Sequence, residues 1–196
     1  MKKSILALCA LALSSTIVLA DVPDPAQCTV QPADALGGLY VCPGVSTGGD
    51  PNPLPETVNT VTVKNSGGTA IANASVQVLF TASNPVCAGA VLTGTTNASG
   101  VTTITLKASG CADGIPSAGV VKANGVTIRS YINAKSSDFD GGAGNGFVNL
   151  SDLIDFSKQF NGINPPTCHD YTDDNFCNLS DLVIFGKAFS TGKKCV

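Results

Sequence analysis

Tryptophan is absent from this chain of 196 residues, tyrosine occurs three times and histidine once. So few aromatic rings leave little on which a sugar could stack, and a single imidazole, His169, narrows the scope for acid–base catalysis. His169 stands next to Cys168 in a polar stretch, where it is expected to face solvent or pack within its own loop. No Ser-His-Asp or Cys-His arrangement is apparent, and no glycine-rich phosphate loop joins a strand to a helix. Outside the C-terminal third the acids, such as Asp50, Glu56 and Asp113, are scattered through turns and form no pair of the kind a glycosidase needs. The expectation is a non-catalytic protein. Cations are also scarce, 11 Lys and Arg against 14 Asp and Glu, so nothing suggests a nucleic-acid partner. No apolar run reaches the roughly 20 residues needed to cross a bilayer.

What is present begins with Lys2 and Lys3, an apolar run from Ile5 to Leu19, and Val18-Leu19-Ala20. That is the order of a secretory signal peptide over residues 1–20, which makes the protein secreted, extracellular or at the cell surface. Its removal takes away two lysines and no acid. Seven cysteines follow it: Cys28, Cys42, Cys87, Cys111, Cys168, Cys177 and Cys195, with no CxxC pair among them. In an exported chain such spacing reads as disulfides and not as a zinc site. Order along the chain pairs Cys28 with Cys42 and Cys87 with Cys111, leaving Cys168, Cys177 and Cys195 as a cluster with one thiol over.

Residues 21–134 read as β structure. Thr60–Val63, Ser75–Phe80, Thr103–Lys107 and Val126–Ile132 carry apolar side chains at nearly every second position, so each hides one face. Asn65-Ser66-Gly67-Gly68 and Asn97-Ala98-Ser99-Gly100 are turn signals, and Asn124-Gly125 predicts a two-residue hairpin. Leu39-Tyr40-Val41 is expected as an edge strand, and the Pro- and Gly-rich residues 43–56 as an irregular loop. Short strands at this spacing point to an Ig-like sandwich of two antiparallel sheets. The segments Gly68–Val76 and Gly94–Val101 within residues 61–106 resemble bacterial Ig-like modules of the invasin and intimin type, which implies a spacer or adhesive unit.

The strongest pattern is a duplication 29 residues apart: Phe147–Phe160 repeats as Phe176–Phe189 with nine of fourteen positions identical. Each copy is a polar loop feeding an amphipathic helix that begins near Asp152 or its counterpart, and two such units suit a pseudo-twofold pair. In the second loop Asp170, Thr172, Asp174, the Phe176 carbonyl, Asn178 and Asp181 occupy positions 1, 3, 5, 7, 9 and 12, the ligand order of an EF-hand. A hard cation such as calcium takes six or more oxygens, and this spacing supplies them. The first loop matches with Asp138, Asp140, Asn145, the Phe147 carbonyl, Asn149 and Asp152, provided three extra residues bulge between Asp140 and Asn145. Gly141, Gly142 and Gly144 allow that bulge, and Gly146 falls at position 6, where the second loop has Asn175. The competing reading is that these Asp and Asn side chains merely cap helices, with Asn149 or Ser151 as the cap.

Asp at position 12, Asn at position 9, a loop-helix unit with no preceding helix, and the duplication together resemble type I dockerin modules over residues 135–196. The resemblance implies two bound calcium ions and a protein partner, a cohesin or another surface scaffold. Ser151, Lys158, Ser180 and Lys187 then repeat the kind of exposed residue that dockerins present to cohesin, although a solvated helix face would also place the lysines there. Thr172 and the enlarged first loop depart from the family pattern. The overall expectation is a mainly β Ig-like sandwich followed by a small all-α dockerin-like pair. Two alternatives stay open, an Ig-like adhesin or spacer with a structural calcium clasp, and an accessory polysaccharide-binding module. The second loop is expected to bind calcium more tightly. It has no extra residues to order, and pairing of Cys168 with Cys177 would brace it.

Overall fold

The computed structural model describes residues 22–44 and 52–195. The expected signal peptide, Asp50 and much of the loop expected over residues 43–56 lie outside them; that loop's described end closes as a 3-10 turn, Pro55–Thr57. An N-terminal region of mostly antiparallel sheets with one short helix, α1 (Ala33–Leu36), is followed by two C-terminal helices joined by an aromatic cluster.

The first sheet sets β3 (Val58–Thr62) between β1 (Thr29–Gln31) and β6 (Val101–Thr105), all antiparallel. Another sheet orders β5 (Thr93–Thr95), β4 (Ser75–Phe80), β8 (Gly119–Ala123) and β9 (Val126–Tyr131), again antiparallel throughout. Val30, Val61 and Ile104 from the first, and Val76, Val78, Val121 and Ile128 from the second, meet in one core. The expected alternation is therefore real, with one shift. Ile128 is an extra residue on β9 where the register slips between Val121 and Lys122, so Ile128 and Tyr131 turn inward. The hairpin between β8 and β9 turns on Asn124 and Gly125 at φ +47° and +80°, the left-handed pair that matches strand twist. Gly100 lets the chain cross between sheets, since a Cβ there would stand 2.6 Å from the Val63 carbonyl oxygen.

The remaining sheet divides the molecule. It runs β2 (Leu39–Val41), β10 (Ala134–Ser136) and β7 (Cys111–Ala112), with β2 and β10 parallel. The expected edge strand is thus present, but all three of its residues are buried. Period-two geometry explains this: Leu39 and Val41 point into the β core, whereas Tyr40 points the other way, into a second core under the helices. That second core joins Tyr40, Cys42 and Leu54 to Val148, Phe156, Tyr171, Ile184, Phe185 and Ala188. The C-terminal part therefore has no core of its own.

Helices α2 (Leu150–Phe160) and α3 (Leu179–Ser190) stack Phe160, Phe156, Phe185 and Phe189 in sequence, with ring centroids 5.9, 4.8 and 5.8 Å apart. The duplicated phenylalanines are thus the axis of the helix pair. His169 is fully buried against it, edge-on to Phe156 and Phe185, and its Nδ1 lies 2.7 Å from the Tyr171 hydroxyl. It packs within its loop and does not face solvent.

The disulfides differ from the neighbour pairing. Cys87 bonds Cys195 and Cys111 bonds Cys168, while Cys28, Cys42 and Cys177 stand outside both bridges. The reason is the shared second core: packing the helices onto the dividing sheet brings Cys168 to β7 and the chain end to Cys87. Cys28 lies instead in the β core and accepts a hydrogen bond from the Lys64 N–H at 3.4 Å. The bridges span 108 and 57 residues. Loops of that length correspond to about 5 and about 4 kcal/mol in the chain-entropy account.

Candidate metal centre

Both loops end in the same device. Asn149 caps α2 by accepting from the Ser151 N–H, while Asp152 accepts from the Asn149 N–H; Asn178, Ser180 and Asp181 repeat this at α3. The capping reading is therefore correct as far as it goes, and the helices start at Leu150 and Leu179, two residues before the acids. It leaves the first half of each loop unexplained.

There the loops share a set of bonds, although the Tyr171 and Thr172 N–H groups donate to Asp181 Oδ1 at 2.7 and 3.1 Å in the second loop and Asp152 Oδ1 has no such donor in the first. The position-1 carboxylates accept from the amides of positions 5 and 6: Asp138 from Asn145 and Gly146 at 3.0 and 2.7 Å, Asp170 from Asp174 and Asn175 at 3.2 and 3.0 Å. The position-9 amide groups point at the position-7 carbonyls, Asn149 Nδ2 to Phe147 O at 3.1 Å and Asn178 Nδ2 to Phe176 O at 3.5 Å. Gly146 and Asn175 both turn through the left-handed region, at φ +85° and +68°. The alignment with three extra residues in the first loop thus describes one fold of the loop, and the bulge is carried by Gly141 and Gly144 at positive φ.

In the second loop Asp170, Asp174 and Asp181 each bring a carboxylate oxygen within 4.8 Å of the others. Asp170 and Asp181 are buried and Asp174 is exposed. Thr172 Oγ1 lies 3.4 Å from Asp181 Oδ1. Asn178 Nδ2 donates to Asp174 Oδ2 at 3.0 Å as well as approaching the Phe176 carbonyl, so one amide group gathers two oxygens that a cation could gather instead. The donors are all oxygen, a set that suits a hard divalent ion. Burial pushes the Asp170 carboxyl upward, with Lys135 opposing.

The first loop does not close its three acids into such a cluster. Asn145 Nδ2 lies 3.4 Å from Asp140 Oδ2, and Asp138 and Asp152 are fully buried. Asp152 Oδ1 is buried without a hydrogen-bond partner. Burial, then the facing charges of Asp138 and Asp140, push its carboxyl up to about 6. Burial also raises Asp138.

Of the four residues assigned to a partner surface, Ser151, Ser180 and Lys158 are exposed, whereas Lys187 also donates to Glu56 at 2.6 Å. Lys158 lies 3.9 Å from Asp155. Around these positions each copy leaves the same three apolar side chains in solvent, Phe147, Leu150 and Ile154 in one, Phe176, Leu179 and Val183 in the other. Residues that periodicity did not single out also shape the site. Lys135, Asn133 and Asp113 all contact the second loop's network from the β region. The chain matches no family model, no curated protein and no solved structure.

Proposed function

We propose that this is an exported, non-catalytic, calcium-binding interaction protein: a β domain of Ig-like sandwich type carrying a dockerin-like pair of calcium loops. The observation that carries the reading is the set of hydrogen bonds the two loops share at positions 1, 5, 6, 7 and 9, in the half that helix capping does not need. Each loop would hold one ion, through Asp138, Asp140, Asn145, Phe147, Asn149 and Asp152, and through Asp170, Thr172, Asp174, Phe176, Asn178 and Asp181. A hard cation there would neutralise carboxylates that are otherwise buried among like charges.

The duplicated apolar triplets support a binding role. Leu150 and Ile154, and Leu179 and Val183, are spaced four apart on helix surfaces and remain exposed at half or more of their area. Solvent-facing stripes of this kind, flanked by Ser151 and Lys158 or by Ser180 and Lys187, suit an apolar partner surface with an acidic rim. A cohesin-type domain or similar surface scaffold fits that description. Two disulfides agree with an exported protein, and no helix among the described residues is long and apolar enough to cross a membrane.

The test is calcium titration by calorimetry, followed by capture on immobilised cohesin domains in calcium and in chelator. Two ions per chain and calcium-dependent capture abolished by Leu150→Asp with Leu179→Asp support the proposal. Absence of calcium binding overturns it. The covalent and ionic attachment of the helices to the β region favours one second reading, a calcium clasp that stiffens an adhesin or spacer. That reading gains if calcium binds with two ions per chain and no cohesin is captured.

A further inference from the structure

Each loop's first carbonyl is gripped by the β region, but the grips differ in charge. In the first loop the Gly110 N–H donates to Asp138 O at 2.9 Å. In the second the buried Lys135 ammonium donates to Asp170 O at 2.7 Å and to Asp173 Oδ1 at 3.0 Å, and it lies 3.1 Å from Asp113 Oδ1 and 3.9 Å from Asp170 Oδ2. Asp173 sits at position 4, outside the ligand set, in the left-handed region at φ +56°. It is held there from two further directions. Asn133 Nδ2 donates to its Oδ2 at 2.6 Å, and Gly37 makes room, since a Cβ on Gly37 would come within 3.0 Å of that oxygen. Among the described residues no ion pair reaches Asp138, Asp140 or Asp152.

From this contrast we infer that Lys135 is a resident counter-ion for the second loop. It holds Asp170 and Asp173 in their ion-ready arrangement when no metal is bound, whereas the first loop has no such charge and depends on the metal for its order. The inference rests on the calcium reading and deepens it by making Lys135 a positioning residue that separates the two sites. The chemistry is direct. Three loop carboxylates together with Asp113 and Asp173 repel one another, and a single buried ammonium with three anionic neighbours offsets that repulsion at the base of the loop. The ammonium also hydrogen-bonds a backbone carbonyl, which fixes the chain as well as the charge. The first loop has only a neutral amide at the equivalent point and an unpartnered Asp152 oxygen.

The experiment is hydrogen exchange read by mass spectrometry on the full, disulfide-intact protein in chelator and in excess calcium. In chelator the amides of residues 170–181 in the wild type are expected to exchange at least tenfold more slowly than those of residues 138–152. Lys135→Met is expected to speed the second loop in chelator by tenfold or more, with protection restored by calcium, while Lys135→Arg stays within about threefold of wild type. Equal exchange of the two loops in wild type, or an unchanged second loop in Lys135→Met, overturns the inference. Should Lys135→Met lose the whole fold, Asp173→Asn decides. It keeps an acceptor for Asn133 but removes an anion from Lys135, and at least threefold faster exchange of the second loop in chelator is expected. No change overturns the proposal. Every outcome that overturns the inference is read in chelator, so failure of the calcium reading shows separately, as calcium having no effect on either loop.

Discussion

Replacing Asp152 by Asn should make the metal-free protein more stable and the calcium-loaded protein less stable. The side chain is fully buried, its Oδ1 is unpartnered, and its carboxyl is pushed from 3.8 to about 6. A carboxylate whose folded value is raised costs stability at pH values above both the folded and unfolded values, and the cost disappears below both. A rise of that size corresponds to about 3 kcal/mol at neutral pH, and allowing for water that reaches exposed Asp140 leaves about 1–2 kcal/mol. Asn is nearly isosteric and can still accept from the Asn149 N–H, so the reciprocal cap survives. Its amide group can donate towards Asp138 and Asp140. In chelator at pH 7.5 the variant should therefore melt about 3–6 °C higher than wild type for a chain of this length. At pH 3.5 the two should coincide. In saturating calcium the order should reverse, because the first loop has lost its closing carboxylate and the linkage stabilisation of about 2.7 kcal/mol at a hundredfold excess over Kd. Differential scanning calorimetry under the three conditions measures all of this. A variant no more stable than wild type in chelator at pH 7.5, or equally favoured at pH 3.5, would refute the argument from buried charge.

Peptide mapping without reduction should recover Cys87 linked to Cys195 and Cys111 linked to Cys168, and Cys195→Ser should lower unfolding free energy by up to about 5 kcal/mol. Because His169 is the single histidine and burial holds its imidazole below the ordinary range against the pull of Asp155, stability in calcium should decline as pH falls below about 6.5, where the unfolded chain takes up the proton the folded one resists. Urea midpoints across pH 5–7.5 should show that slope in wild type and a flatter one in His169→Asn. Calorimetry should find tighter calcium binding by the second loop, measured in Asp138→Ala with Asp152→Ala, than by the first, measured in Asp170→Ala with Asp181→Ala; the reverse order would show that ordering the bulge carries little weight.

How much of this was legible before the fold was known follows from the range of each interaction. The strands around Val61, Val76 and Val78 and the hairpin at Asn124-Gly125 depend on residues two apart and on local φ, so alternation and turn chemistry expose them. The loops are legible for a related reason. Every bond that defines them, from Asp138 to Gly146 or from Asp170 to Asp181, closes within about a dozen residues, and the duplication displays the pattern twice. What local reasoning misses lies between elements. Strands β1, β5, β7 and β10 have two or three residues each, too few to show a period. Neighbour pairing of cysteines fails because their separations of 57 and 108 residues reflect how the helices dock on the sheet. The brace expected from Cys168 with Cys177 does not form, since Cys168 is tied to Cys111 of β7 and Cys177 stands outside both bridges; Lys135 holds Asp170 instead.

That docking changes what calcium can be expected to do. Separate cores would let a chelator unfold residues 135–196 as a unit and leave the β region intact. With Tyr40 and Leu54 in the helical core, two bridges across the boundary and Lys135 reaching into the second loop from β10, the two parts are tied by packing, by disulfides and by charge. Loss of metal should then loosen the first loop and the start of α2, where Asp152 Oδ1 lacks a hydrogen-bond partner, before it frees α3. A partner that reads Phe147, Leu150 and Ile154 would sense calcium more sharply than one that reads Phe176, Leu179 and Val183. The pseudo-twofold repeat would thus present two similar surfaces with unequal dependence on the ion.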